Sequence, residues 1–167
     1  MSKAFTREDD AGDEPLSPAP VALLRPGTRN FLTPTGHARL QAELTRLRDE
    51  ERPVLVEGSL RDVELRRELA QLDQRIRTLE RSLATAEVVP APAPGNQVRF
   101  GSTVTVRDQK GELATYRIVG VDEADFARHE VSWQSPIAGA LLNARLGERV
   151  PFKFPSGATE LEVVKIE

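Results

Sequence analysis

The chain has 167 residues and a formal net charge of −3, and this total charge does not favour a general nucleic-acid binder. It contains no cysteine, which excludes disulfides, thiolate metal sites and cysteine nucleophiles. No apolar run approaches the ~20 residues that span a bilayer and no secretory signal is visible, so we expect a soluble cytoplasmic protein without membrane contacts. Aromatic residues make up 5% of the chain, which favours an elongated helical part followed by a compact β-rich part.

The N-terminal residues 1–29 are predicted to form a disordered tail. They contain five acidic residues, four basic residues and four prolines, with almost no periodic apolar pattern. The first helix is predicted to begin after this tail, because Thr33 can cap free backbone N–H groups and Pro34 suits the first helical position. It runs to about Pro53, a residue that predicts a bend or an interruption.

A leucine-rich heptad stripe predicts the second helix, from Leu60 or Asp62 to Ala86. The stripe has seven members in a four-three spacing: Leu65, Leu69, Leu72, Ile76, Leu79, Leu83 and Ala86. A matching, interrupted stripe on the first helix has four members: Leu40, Leu44, Leu47 and Val54. Such spacing is typical of a coiled-coil seam. Pairing the stripes in antiparallel order places the fold-back at Arg61-Asp62, so residues 30–89 are predicted to form an antiparallel coiled-coil hairpin.

Residues 90–96 are rich in proline and predict a linker, and residues 97–167 change to the period-two pattern of β-strands. Six short strands are predicted, at Val98–Phe100, Val104–Val106, Tyr116–Ile118, Val131–Trp133, Val150–Phe154 and Leu161–Val163. One short helix fits between strands, with Ser135 as its cap and Pro136 at its first position. The predicted fold class is therefore α+β, with a helical hairpin followed by a β-domain that contains one short helix.

Residues that could carry catalysis are sparse in this sequence. His37 and His129 are the only histidines and fall in different predicted domains, so we assign them structural roles and predict no metal site. No glycine-rich phosphate loop and no nucleophile elbow is present. We therefore expect that the chain is not an enzyme by itself and has no cofactor of its own.

The charged residues of the predicted hairpin leave two interpretations open. Asp62 and Glu64 at the tip are hard ligands that suit a Mg²⁺ ion lent by a partner, but acidic residues near a helix N-terminus are also favoured by the helix dipole. Arg66, Arg67 and Arg75 on the second helix are candidates to face RNA. Interspersed Glu–Arg pairs on the outer face of a coiled coil explain the same arginines.

Two segments of the β-rich part, Ile118–Glu123 and Ser135–Leu142, follow a helical hairpin in a way that resembles the bacterial transcript cleavage factors of the GreA/GreB family. Three further segments, Phe31–Gly36, Glu50–Pro53 and Leu72–Leu79, resemble GreB in particular. The resemblance implies that the hairpin is a coiled coil and that the C-terminal domain has an FKBP-like fold.

The resemblance also implies a partner, bacterial RNA polymerase, and a mode of action on it. In this family the C-terminal domain grips the rim of the polymerase secondary channel while the coiled coil enters the channel. Two acidic residues at the tip help to hold the second Mg²⁺ of the polymerase active site, and backtracked RNA is cut near its nascent 3′ end by a two-metal mechanism. We expect this chain to be a monomer. Six residues match the family's docking segments: Asp122, Glu123, Ser135, Pro136, Ile137 and Ala138.

The sequence departs from the family pattern at the tip. The family's acidic tip motif should lie between Pro53 and Leu72, but it is absent and the stretch is about a dozen residues shorter. Removing six residues from each arm shortens the hairpin by roughly 9 Å, whereas a metal-bound carboxylate must lie within ~2.5 Å of its ion. We therefore expect a GreB-like factor that modulates elongation from the secondary channel with impaired transcript cleavage.

Three alternatives remain open from the sequence. The first is an active cleavage factor whose hairpin seats deeper in the channel and uses Asp62 and Glu64. The second is a short-coil protein that resembles the regulator of nucleoside diphosphate kinase. The third is a diverged copy of the family with no distinct activity.

Overall fold

The computed structural model describes residues 27–154 and 157–167, so most of the predicted N-terminal tail lies outside the described residues. The helices are α1 Pro34–Arg46, a π-helical segment Leu47–Glu51, α2 Arg52–Ser59, α3 Val63–Thr85 and α4 Pro136–Leu141. The strands are β1 Asn30–Leu32, β2 Ala86–Val88, β3 Thr103–Arg107, β4 Leu113–Val119, β5 Glu130–Ser132, β6 Arg149–Phe154 and β7 Gly157–Ile166. None of these helices is long and apolar enough to cross a bilayer.

The first helical arm, residues 34–59, begins at the predicted residue. Thr33 is the N-cap, its hydroxyl accepts a hydrogen bond from the Gly36 N–H at 3.0 Å, and Pro34 occupies the first turn. Pro53 does not end the arm. It lies in the first turn of α2, directly after the π-helical segment, where its missing N–H is tolerated.

The π-helical segment changes which residues of the first arm face the second arm. A π turn holds one more residue than an α turn, so every residue after Glu51 is rotated by one position. The prediction that Val54 lies in the apolar seam is therefore wrong, because its side chain is 70% exposed. Leu55 packs against the apolar cluster in its place, and Ser59 is buried one turn later.

The chain reverses between Ser59 and Val63, where the fold-back was predicted, and α3 then packs along the first arm. Six buried residues form the apolar cluster of the arms: Leu32, Leu40, Leu47, Leu72, Ile76 and Leu79. Two ion pairs also join the arms, Arg52 with Asp73 at 2.8 Å and Arg75 with Glu43 at 2.9 Å. Coiled-coil geometry in the strict sense stays a prediction.

A short parallel pairing of β1 with β2, which the sequence did not predict, closes the base of the arms. Ala86 was predicted to be helical but begins β2, since α3 ends at Thr85. Phe31 of β1 then packs against the C-terminal domain, with its ring 5.8 Å from that of Phe100 and 5.4 Å from that of Trp133. The base of the arms is thus part of the contact between the two halves of the chain.

The C-terminal domain is a five-stranded sheet in the order β5-β4-β3-β7-β6, antiparallel except for the parallel pair of β4 and β5. Its core contains ten buried residues: Val98, Val104, Val106, Ile118, Ala138, Leu141, Ala144, Val150, Leu161 and Val163. Five of the six predicted strands are present, and the predicted strand at Val98–Phe100 is wrong. Val98 instead exchanges backbone hydrogen bonds with the loop after α4, at Asn143 and Ala144. An FKBP-like topology stays a prediction.

The register shift in the first arm makes a testable prediction. Leu55→Ala should lower the free energy of unfolding by about 1–2 kcal/mol, because it removes apolar contacts with the cluster between the arms. Val54→Ala should change it by less than about 0.5 kcal/mol, because that side chain is mostly exposed. Urea denaturation followed by the helical circular dichroism signal measures both. A larger loss for Val54→Ala than for Leu55→Ala would contradict the π-shifted register.

Candidate functional site

The tip of the helical arms, residues 57–64, contains the two acidic residues that the sequence singled out. Asp62 is the N-cap of α3, and its carboxylate accepts a hydrogen bond from the Glu64 N–H at 2.8 Å. Glu64 points away and pairs with Arg67 at 3.1 Å, one turn along the same helix. Both carboxylates therefore have partners within their own turn of the chain.

The predicted RNA-facing arginines have different surroundings. Arg66 and Arg67 are exposed near the tip, where Arg66 donates to the Asp62 carbonyl at 3.4 Å and Arg67 donates to Glu64. Arg75 donates from Nε and Nη2 to the two carboxylate oxygens of Glu43, at 2.9 and 3.1 Å. This bidentate pair joins the arms, so Arg75 has a structural partner.

Charge pairs also lie along the outer face of the arms. Arg48 and Asp49 form an exposed ion pair at 2.9 Å beside the π-helical segment. The hydrogen bond from Arg48 lowers the pKa of the Asp49 carboxyl, and the same contact raises the pKa of Arg48. In residues 27–154 and 157–167, no cluster of three or more metal-ligating side chains is placed so that it could hold an ion.

The first predicted docking segment is a 3₁₀ turn, Val121–Glu123, and its glutamate is buried rather than displayed. The Glu123 side chain is 2% exposed. Its Oε2 accepts from the backbone N–H groups of Thr33 at 2.9 Å and Gly120 at 2.8 Å, and its Oε1 accepts from the Thr33 hydroxyl. The carboxylate thus binds the cap of α1 to the C-terminal domain and has no exposed surface to offer a partner.

Two glycines make room for this buried carboxylate. A Cβ atom at Gly36 would collide with the carboxylate of Glu123. A Cβ atom at Gly120 would collide with the Phe31 carbonyl oxygen and crowd the same carboxylate. Both positions therefore need glycine, because the Glu123 carboxylate and the facing backbone approach them too closely for a side chain.

Polar contacts around the carboxylate extend this junction between the arms and the C-terminal domain. Glu130 on β5 is buried and pairs with Arg39 of α1 at 2.9 Å and with Arg117 of β4 at 3.5 Å. Asp122, which is partly exposed, accepts a hydrogen bond from the Ser82 hydroxyl of α3. Each arm is therefore bonded to the C-terminal domain.

The sequence analysis identified Thr33 only as a helix cap and did not identify Arg39 or Glu130 as functional residues. Their contacts across the junction join residues that are about 90 positions apart in the chain.

The second predicted docking segment is the start of α4. Ser135 accepts from the Ala138 N–H at 3.2 Å as the N-cap, and Pro136 is exposed in the first turn, both as predicted for the helix. Ala138 is fully buried in the core. Ile137 is half-buried and lines an open groove of about 460 Å³ beside Tyr116 and Phe152.

Both predicted docking segments contact β5, and α4 also packs against β6. Only part of the predicted docking surface is accessible to a partner, because Glu123 and Ala138 are buried. Asp122, Ser135, Pro136 and Ile137 remain at least partly exposed. Contact of these residues with a polymerase stays a prediction.

The C-terminal part of the chain, residues 93–167, matches the family model for "Transcription elongation factor, GreA/GreB, C-term". The chain is 35% identical to transcription elongation factor GreB of Neisseria meningitidis serogroup B, over 84% of this chain and 94% of that protein. It is 36% identical to transcription elongation factor GreA of Hyphomonas neptunium, over 81% of this chain and 95% of that protein. The chain belongs to the GreA/GreB family of transcription elongation factors.

Solved structures and sequence relatives of the GreA/GreB family add two facts. GreA factor homolog 1 (Gfh1) of Thermus thermophilus is similar at 27% identity, with 84% of this chain and 99% of that chain covered and a TM-score of 0.40. The alignment with the Neisseria GreB extends over 154 positions, whereas 84% of this 167-residue chain is about 140 residues. About 14 aligned positions of that relative therefore face no residue of this chain.

The buried carboxylate makes the second testable prediction. Glu123→Ala should lower the free energy of unfolding by about 3 kcal/mol, because the N–H groups of Thr33 and Gly120 lose their acceptor while staying buried. The exposed Glu160→Ala is a matched control and should change it by less than about 0.5 kcal/mol. Thermal or urea unfolding measures both, and amide hydrogen exchange at Thr33 should become faster only in Glu123→Ala. Equal stability of the two variants would contradict the assigned role.

Proposed function

We propose that this chain is a GreB-like transcription elongation factor that binds bacterial RNA polymerase at the secondary channel and modulates elongation with little stimulation of transcript cleavage. Its family membership supports the partner in general, because its relatives bear the name of transcription elongation factors and the chain covers most of their length. In this proposal the chain acts through the active site of the polymerase.

The observation that carries this proposal is the engagement of both tip carboxylates. Asp62 is committed to capping α3, and Glu64 pairs with Arg67. Within the described residues, no third metal-ligating side chain joins them. One oxygen of each carboxylate is thus already engaged, and Arg67 would compete with a hard cation for Glu64, which disfavours this pair as ligands for the polymerase's second Mg²⁺.

Arm length supports the same proposal. The first arm, residues 34–59, is roughly 39 Å long at about 1.5 Å per residue. About 14 positions of the Neisseria GreB face no residue here. If half of a dozen missing residues belong to each arm, the tip stops roughly 9 Å short, which is too far for a side chain to bridge.

The C-terminal domain supplies the polymerase-docking surface in this proposal. Pro136 is exposed, Ile137 lines the open groove beside Tyr116 and Phe152, and Asp122 is partly exposed. Glu123 contributes indirectly, since its buried carboxylate holds the turn that carries Asp122. Docking through this surface would place the arms in the channel without any need for metal binding at the tip.

A transcript cleavage assay on backtracked, stalled polymerase complexes tests the proposed function. We expect the chain to bind the complexes, to leave the cleavage rate near that of complexes without factor, and to slow cleavage by an active family member because both occupy one channel. The matched variant Asp62→Asn/Glu64→Gln should behave as the unmodified chain does. The readout is the length of RNA labelled at its 5′ end, over time.

Two results would overturn the proposal. Brisk cleavage that is lost in Asp62→Asn/Glu64→Gln would establish an active cleavage factor instead. Absence of binding to polymerase, combined with strong recovery of a nucleoside diphosphate kinase from lysate, would favour the short-coil regulator alternative.

A further inference from the structure

Three aliphatic side chains lie exposed at the tip of the arms. Leu60 is 80% exposed, Val63 is 57% exposed and Val56 is 38% exposed. The four-residue spacing of Val56 and Leu60 places them on one face of the chain, and Val63 is the first residue of α3 after the turn. We call these three residues the tip cluster.

The two arms approach closely directly beneath the tip cluster. A Cβ atom at Gly58 would lie 2.6 Å from Cδ1 of Leu65, so the two arms are in close contact there. Ser59 is buried beside them with its hydroxyl bonded to the Val56 carbonyl at 2.9 Å. The exposure of the tip cluster is therefore imposed by the fold of the turn.

Charge at the tip is balanced, which argues against an RNA or metal ligand. Residues 57–67 contain three acidic and three basic side chains and no aromatic residue. Single-stranded RNA is bound through excess positive charge and aromatic stacking, and a divalent cation needs excess free carboxylates. An aliphatic, charge-balanced surface instead suits aliphatic protein side chains.

The area of the tip cluster decides between a second copy of the chain and a larger partner. The three side chains expose roughly 300 Å², whereas a stable interface buries about 800 Å² on each partner. A dimer held by the tips alone is therefore excluded by area. A small contact suffices when another part of the same molecule is already bound, because the second contact is then intramolecular.

We propose that the tip cluster is a second docking site, which packs against aliphatic side chains of the protein wall inside the secondary channel of RNA polymerase. This inference rests on the proposed function, since the C-terminal domain must dock first. The cluster replaces a metal-directed acidic tip by an apolar anchor that holds the shortened arms in the channel.

The experiment compares full-length variants in binding to bacterial RNA polymerase, measured by fluorescence anisotropy of the chain labelled at its N-terminus. Leu60→Ser/Val63→Ser should weaken binding about tenfold or more, because it removes most of the apolar contact area. Leu146→Ser replaces a 53% exposed leucine of the C-terminal domain and should leave binding unchanged. Melting temperatures within a degree or two of the unmodified chain would show that both variants fold.

A photoreactive amino acid at position 60 gives an independent readout. We expect cross-links to polymerase protein subunits and not to the RNA. Equal binding by Leu60→Ser/Val63→Ser, cross-linking mainly to RNA, or a dimer that this variant abolishes would each overturn the inference while leaving the proposed function intact. Absence of polymerase binding by the unmodified chain would overturn the proposed function and the inference together.

Discussion

The carboxylate of Glu123 is the contact on which the arrangement of this molecule depends. It is buried, and it accepts hydrogen bonds from groups on both sides of the junction, the N–H and hydroxyl of Thr33 and the N–H of Gly120. A buried carboxylate without these donors would be strongly unfavourable, so the cap of α1 and the 3₁₀ turn can only be buried together. Gly36 and Gly120 permit that approach because any side chain there would occupy the space of the carboxylate or of the facing backbone.

This junction ties the direction of the arms to the surface of the C-terminal domain. Arg39 of α1 pairs with the buried Glu130 of β5, and Ser82 of α3 donates to Asp122. α4 also contacts β5, although it packs more closely against β6. These contacts hold the arms in a defined orientation before any partner binds, so that little conformational entropy would be lost on binding.

The helix starts could be predicted from neighbouring residues in the sequence. The seam register of α2 and the burial of Glu123 could not be predicted in this way. Thr33-Pro34 and Ser135-Pro136 were predicted as helix starts because capping depends on adjacent residues alone. Val54 was placed in the seam because a heptad count assumes an uninterrupted α-helix, and the π-helical segment adds one residue. Glu123 was expected at a docking surface because its segment matched a family motif, and a partner 90 residues away buries it.

The contrast between base and tip narrows how the chain can act. At the base, two buried glutamates are fully paired, as a rigid orientation requires. At the tip, Asp62 and Glu64 are used for capping and local pairing, while aliphatic side chains take the outermost positions. In the proposed function, the effect of the chain on transcription comes from where the arms lie and what they exclude. Such a role would require a defined orientation of the arms, to which the hydrogen bonds of Glu123 contribute.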